Sequence, residues 1–213
     1  MAERGFVFAI VGAESTGKTT LARGLAAALR ADGLNAVMVP EVLREFCDDL
    51  GRTPYPHEQA AIALAQTQRM ASASRTHSVV VSDTTALMTA VYSDYLFDDQ
   101  TLYGQALADH AQADLTLLTA LDLPWEADGL QRDGAHVREP VDTLIRHHLV
   151  QAGLPFSVVA GQGAHRLQQA LITVRQALTA ARRAQDNAQR PRWRWVCDKC
   201  DDGECEQHWL PRA

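Results

Sequence analysis

The sequence predicts a doubly wound α/β fold on a five-stranded parallel sheet, and three observations carry the prediction. Five short apolar runs punctuate the chain, each without internal polar alternation. Longer stretches with helical periodicity separate them. The first run leads directly into a glycine-bounded loop and then a helix. Continuous apolar strands alternating with helices indicate a sheet covered on both faces, with right-handed crossovers between strands.

The elements follow in order. Residues 6–11 (FVFAIV) read as a buried strand, and 18–31 (KTTLARGLAAALRA) as a helix with apolar positions at Leu21, Leu25, Ala28 and Leu29. A turn at Asp32-Gly33 leads to a second strand, 36–40 (AVMVP). The alanine-rich stretch 57–75 is expected to be helical, and 78–82 (SVVVS) a third strand. Helices are expected at 85–95 and 101–111, then a fourth strand at 115–121 (LTLLTAL). Residues 123–137 are charged and irregular. A helix at 138–152, a fifth strand at 156–160 (FSVVA) and an amphipathic helix at 164–186 complete the domain. Sites in such sheets form at the carboxyl ends of strands, which singles out Gly12–Thr20, Glu41, Asp83 and the segment after Leu121.

The chain has 213 residues, 46% of them hydrophobic and 22% charged, a composition that excludes general disorder and a disulfide-stapled miniature. A net charge of −6 argues against a generic nucleic-acid binder. No apolar run is long enough to span a membrane and no signal peptide is visible, so a cytoplasmic protein is expected. The expected organisation is a compact α/β domain over 1–181 and a tail over 182–213.

Residues 12–19 read Gly12-Ala13-Glu14-Ser15-Thr16-Gly17-Lys18-Thr19, a full match to GxxxxGK(S/T) between a strand and a helix. Such a P-loop turns backbone N–H groups and a helix N-terminus toward phosphate oxygens. Lys18 is expected at the β- and γ-phosphates of ATP and Thr19 on Mg²⁺, with Thr20 on a further phosphate. The fold class is therefore that of a P-loop NTPase. Guanine-specificity motifs of the NKxD kind are absent, and a typical AAA+ module with its helical lid domain would need a longer chain.

A small kinase needs an acceptor-site carboxylate, support for Mg²⁺ and arginines over the transferring group. Glu41 ends the second strand and could accept the proton of a substrate hydroxyl. Arg44 follows one helical turn later, placed to hold substrate hydroxyls or phosphate. Asp83, after Val79-Val80-Val81-Ser82, stands where a carboxylate supports a Mg²⁺ water. Glu41 and Asp83 could exchange these roles. The segment 124–138 carries Arg132 and Arg138 between glycines and reads as a lid. Within it Trp125 and Asp128 could contact a base and a ribose hydroxyl.

Taken together, the loop with its following Thr20-Leu21, Glu41 with Arg44-Glu45-Phe46, Gln68-Arg69, Asp83-Thr84, and Trp125 with Asp128-Gly129-Leu130 resemble the nicotinamide riboside kinase domain of the bacterial NadR family. The resemblance covers residues 5–180. It implies transfer of the ATP γ-phosphoryl group to a ribonucleoside 5′-hydroxyl, with nicotinamide riboside the expected acceptor. It places Lys18 and Thr19 on ATP and Mg²⁺, and Asp83 and Glu41 at the reacting centre. Arg44 and Trp125 fall near the nucleoside, and Arg132 and Arg138 in the lid. That family often has a second acid two residues after the strand aspartate; this chain has Thr85. Nothing here resembles the adenylyltransferase or DNA-binding parts of the larger regulator. A P-loop ATPase or nucleotide-sensing module, docking a protein partner through its tail, is the alternative.

The tail contains Cys197-x2-Cys200-x4-Cys205-x2-His208, the donor set of a compact Cys3His zinc site. Free thiols or a redox pair are the other readings. Residues 182–195 hold five arginines, one aspartate and two tryptophans, suited to a solvated helix end followed by a packed strand, or else to contact with nucleic acid or a protein partner. Cys47 stands alone and is expected to be a buried thiol.

Overall fold

The computed structural model describes residues 4–126 and 134–189. The five strands are β1 (Phe6–Val11), β2 (Ala36–Val39), β3 (Val79–Asp83), β4 (Leu115–Thr119) and β5 (Phe156–Val159). All pair in parallel, as the apolar runs predict, and stand in the order β2-β3-β1-β4-β5. The helices are α1 (Lys18–Ala31), α2 (Val42–Leu50), α3 (Gln59–Thr76), α4 (Ala86–Phe97), α5 (Tyr103–His110), α6 (Arg138–Gln151) and α7 (Gly163–Gln189). Only α2 has no counterpart among the expected elements. Its single apolar turn is too short to show a period, although the Glu41–Arg44 spacing already assumed a helical turn.

Strand alternation distributes the core. Val7 packs with Val39, Val80 and Met70 of α3, and Val11 joins a cluster with α4 and α6 around Leu87, Val91, Val141 and Ile145. Phe8 and Ile10 point to the opposite face and are fully buried. There α1 presents Leu21, Leu25 and Leu29 at four-residue spacing. Gly24 of α1 lets Leu167 of α7 approach; a β-carbon there would meet its methyls at 3.1 Å. Helix α4 is buried on nearly every side from Ala86 to Asp94, as suits a helix between sheet and outer helices.

The chain divides into two compact units, Met1–Ala177 and Leu178–Ala213. In the second, residues 178–189 continue as helix. Among the described residues no helix is long and apolar enough to cross a membrane. Cys197, Cys200, Cys205 and His208, the residues of the expected zinc knuckle, lie outside the described residues.

Candidate functional site: a phosphate-binding loop joined to an apolar cavity

Every strand that borders the site delivers its residues at its carboxyl end. From β1 the chain turns through Gly12 at φ +152° and Gly17 at φ +74°. A β-carbon on Gly12 would lie 2.0 Å from Thr119 Oγ1, so only glycine fits. The loop is braced from within. Thr16 Oγ1 donates to Ala13 O at 2.8 Å and lies 2.7 Å from Thr119 Oγ1, and Lys18 Nζ donates to Ala13 O at 2.9 Å. Ser15, at φ +53°, exchanges hydrogen bonds with the backbone of Glu126. That contact brings the segment after β4, with Trp125, against the loop.

The loop is also held from behind by Arg166 of α7, which is 4% exposed. Its guanidinium donates to Thr16 O at 2.9 Å, Gly161 O at 2.9 Å and Asp122 Oδ1 at 2.7 Å. Burial works to raise the Asp122 carboxyl, but the Gly161 N–H and Arg166 together hold it below the usual carboxylate range. Sequence reasoning missed Arg166 because it reads as one more arginine on an amphipathic helix.

Glu41 stands at the N-terminal end of α2 and Asp83 ends β3. One hydrogen-bonded chain couples their positions. The Val42 N–H donates to Gln66 Oε1 at 2.9 Å, Gln66 Nε2 donates to Ser82 Oγ at 3.3 Å, and Ser82 Oγ donates to Thr84 O at 2.7 Å. Thr84 sits at φ +80°, a strained conformation for a β-branched residue directly after Asp83. Asp83 is 1% exposed, and its Oδ1 has no hydrogen-bond partner among the described residues. An orphaned buried carboxylate oxygen fits a place beside a hydrated divalent cation, with Thr19 lining the loop cavity. Thr85 is turned away to another task. Its hydroxyl lies 2.8 Å from His110 Nδ1, whose Nε2 lies 2.9 Å from Thr116 Oγ1. Burial pushes His110 down to about 4.

Two cavities meet at this edge. One, of about 330 Å³, is lined by Ser15 through Thr20 with Arg23, Glu41 and Arg44. The other, of about 270 Å³, runs from Glu14, Lys18 and Glu41 to Leu43, Cys47, Gln59, Tyr92, Leu96 and Phe97. Ser15, Lys18, Glu41 and Arg44 line both. Arg44 Nε stands 3.9 Å from Glu41 Oε2, on the same face as the i,i+3 spacing predicts. Cys47 is buried as expected and also forms part of the apolar wall.

The remaining expected residues fall as follows. Trp125 is half-buried beside the loop; its indole Nε1 is buried with no partner among the described residues. Arg138 opens α6 and is 8% exposed, with Nε and Nη2 unpartnered among the described residues. Asp128 and Arg132 lie outside the described residues. Arg69, part of the quoted resemblance, is ion-paired with Glu45 at the surface. Tyr92, Phe97 and Gln59 were not anticipated: they belong to helices read only for their periodicity.

A parallel sheet with a strand–loop–helix phosphate cradle defines a P-loop nucleotide-binding protein. The chain belongs to the AAA domain family, whose model matches residues 7–166. The matched span runs from β1 to the first turn of α7. Three solved structures share the fold. NadR protein in complex with NAD and AMP-PNP is 22% identical, with a TM-score of 0.65 over 81% of this chain and 49% of that one. NadR in complex with NR is 22% identical, with a TM-score of 0.67 over 81% and 50%. Thymidylate kinase from Ehrlichia chaffeensis is 16% identical, with a TM-score of 0.58 over 82% and 99%. The chain spans about half the length of the NadR structures it matches. The resemblance read from the motifs is thus met at the level of fold. No curated protein matches. Among the described residues no group of three or more His, Cys, Asp or Glu could hold a metal ion.

Proposed function

We propose that the chain is an ATP-dependent small-molecule kinase that phosphorylates the 5′-hydroxyl of a nucleoside, with nicotinamide riboside the leading acceptor. The observation that carries this is the junction of the two cavities. A plain ATPase needs the phosphate cradle alone. Here the cradle opens through Lys18, Glu41 and Arg44 into a second, apolar cavity large enough for a ring. The NadR structures with NR and with NAD and AMP-PNP support the reading.

In this reading the P-loop N–H groups and Lys18 hold the triphosphate, with Thr20 on a further phosphate. Mg²⁺, held through Thr19 and Asp83, would neutralise phosphate charge. Glu41 accepts the proton of the acceptor hydroxyl as its oxygen bonds to the γ-phosphorus. The bond from that phosphorus to the β,γ-bridging oxygen breaks, and ADP leaves. Arg44 fixes the acceptor hydroxyls. Tyr92 and Phe97 take the base on the α4 side, and Trp125 and Asp128 cover the nucleoside from the segment after β4. Arg132 and Arg138 neutralise charge on the transferring group. An ATP-requiring reaction and a reduced thiol at Cys47 suit the cytoplasm.

Coupled ADP release, screened across nicotinamide riboside and the common nucleosides, tests the proposal. ADP formation should depend strictly on an added nucleoside; equal turnover without acceptor sinks it. Zinc in the tail is a separate proposal resting on the spacing of Cys197, Cys200, Cys205 and His208. Metal analysis should find one zinc per chain, lost in Cys197→Ser/Cys200→Ser.

A further inference from the structure

Helix α3 carries two buried glutamines seven residues apart, and they differ in one respect. Gln59 and Gln66 are each 2% exposed. Gln66 is fully engaged: its oxygen accepts from Val42 N–H and its nitrogen donates to Ser82. This is how a buried glutamine looks when its work is architectural. Gln59 lines the apolar cavity, and its Oε1 has no hydrogen-bond partner among the described residues. A residue needed only to fill that wall would be apolar, because a buried amide oxygen without a partner is costly. Leu43, Cys47, Pro54, Tyr92, Leu96 and Phe97 make the apolar wall at this end, with Thr53 beside Pro54. Gln59 is the amide set among them.

Resting on the kinase reading above, we propose that Gln59 is the specificity-determining residue for the acceptor. It pairs its side-chain amide with an adjacent hydrogen-bond donor and acceptor on the acceptor's ring. A primary amide offers N–H and C=O side by side, and a half-turn about its last torsion exchanges them. It therefore matches the edge of a carboxamide or a ring imide in either order. It does not match a carboxylate, which only accepts, or an N-alkylated imide, which has lost its donor. A site built to hydrogen-bond a group rejects the analogue lacking it, because its own buried polar atoms are then left unpaired. The anchoring loop supports the placement. Arg52 and Glu58 pair through two 2.7 Å hydrogen bonds, and the Tyr55 N–H donates to Glu58 at 2.7 Å, immediately before Gln59.

The test uses two matched pairs: nicotinamide riboside against nicotinic acid riboside, and thymidine against N3-methylthymidine. They are compared in wild type and in Gln59→Met, which keeps the length and removes the amide. Gln59→Glu, which keeps the shape but loses the donor, serves the same comparison if the methionine variant folds poorly. Wild type should favour the amide- or imide-bearing member of the pair it accepts by about tenfold or more in kcat/KM. In Gln59→Met that preference should shrink to within roughly threefold, through a raised KM for the favoured member, with KM for ATP unchanged. A preference that survives in the variant overturns the inference while leaving the kinase intact. So does loss of preference accompanied by an equal rise in KM for ATP, which marks a structural role. If wild type phosphorylates other nucleosides but neither nicotinamide riboside nor thymidine, the inference falls and the kinase reading stands; if it phosphorylates no nucleoside at all, the nucleoside-kinase reading itself falls, and this inference with it.

Discussion

Replacing Arg166 with alanine should loosen the phosphate-binding loop from behind, and its hydrogen bonds allow the cost to be worked out. The contact with Asp122 contributes little. The Asp122 side chain is 33% exposed and rehydrates once the arginine is gone, so about 0.5 kcal/mol is lost there. The two carbonyls matter more. Thr16 O and Gly161 O each lose a charged donor at 2.9 Å, and such bonds contribute about 1.5–3 kcal/mol each. Taken near the lower end of that range, about 1.7 kcal/mol for each carbonyl, the total is about 4 kcal/mol, in the range for breaking a buried charged contact. In a chain of this size 1 kcal/mol moves Tm by about 2–4 °C, so Tm should fall by about 8–16 °C. Thr16 belongs to the loop itself, so KM for ATP should also rise, by about tenfold for each 1.4 kcal/mol of lost loop positioning. Arg166→Lys keeps the charge but cannot span three acceptors, and should lie between the two. Thermal unfolding followed by circular dichroism, with ATP kinetics on the same preparations, provides both readouts. A Tm within 2 °C of wild type in Arg166→Ala, at unchanged KM, would refute the bracing argument.

Three further outcomes are expected. Gly12→Ala places a β-carbon 2.0 Å from Thr119 Oγ1 and should cost about 2–4 kcal/mol and abolish ATP binding, read by calorimetry; retained binding would contradict the close approach. His110 is held neutral by burial, with its folded value near 4 against an ordinary 6.5. Protonation then favours the unfolded chain, so this group's contribution is intact above pH 6.5 and lost as pH falls toward 4, by about 3 kcal/mol. Urea denaturation across that window should show a shallower pH dependence in His110→Gln than in wild type; equal slopes contradict the assignment. Lys18→Ala should remove phosphoryl transfer while leaving the fold intact by circular dichroism, and retained activity would show that the loop is not catalytic.

What the amino-acid order reveals of this protein follows from the range of each interaction. The strands are local: Val79–Val81 or Phe6–Val11 announce themselves as runs, while their order in the sheet, set by contacts between distant segments, does not. The loop from Gly12 to Thr19 is equally local, because its geometry depends on which residues can curl a backbone at fixed spacing. Glu41 with Arg44, and Asp83, could be placed because strand ends converge in a parallel sheet. Arg166, Gln59 and Tyr92 could not. Their roles arise where α7 reaches the back of the loop and where α2, α3 and α4 enclose a cavity, contacts between positions 150 or about 30–50 residues apart. An arginine on an amphipathic helix and a glutamine at a helix start carry no local mark of such work. A buried polar group without a partner becomes visible only when the partners can be counted.

Mixing the protein with ATP, Mg²⁺ and nicotinamide riboside, and following the phosphorus resonances with time, tests whether this is a nucleoside kinase. The account predicts loss of the γ-resonance matched one for one by ADP and a nucleoside 5′-monophosphate. ADP appearing with free phosphate, with nicotinamide riboside and every other nucleoside tried recovered unchanged, would contradict it.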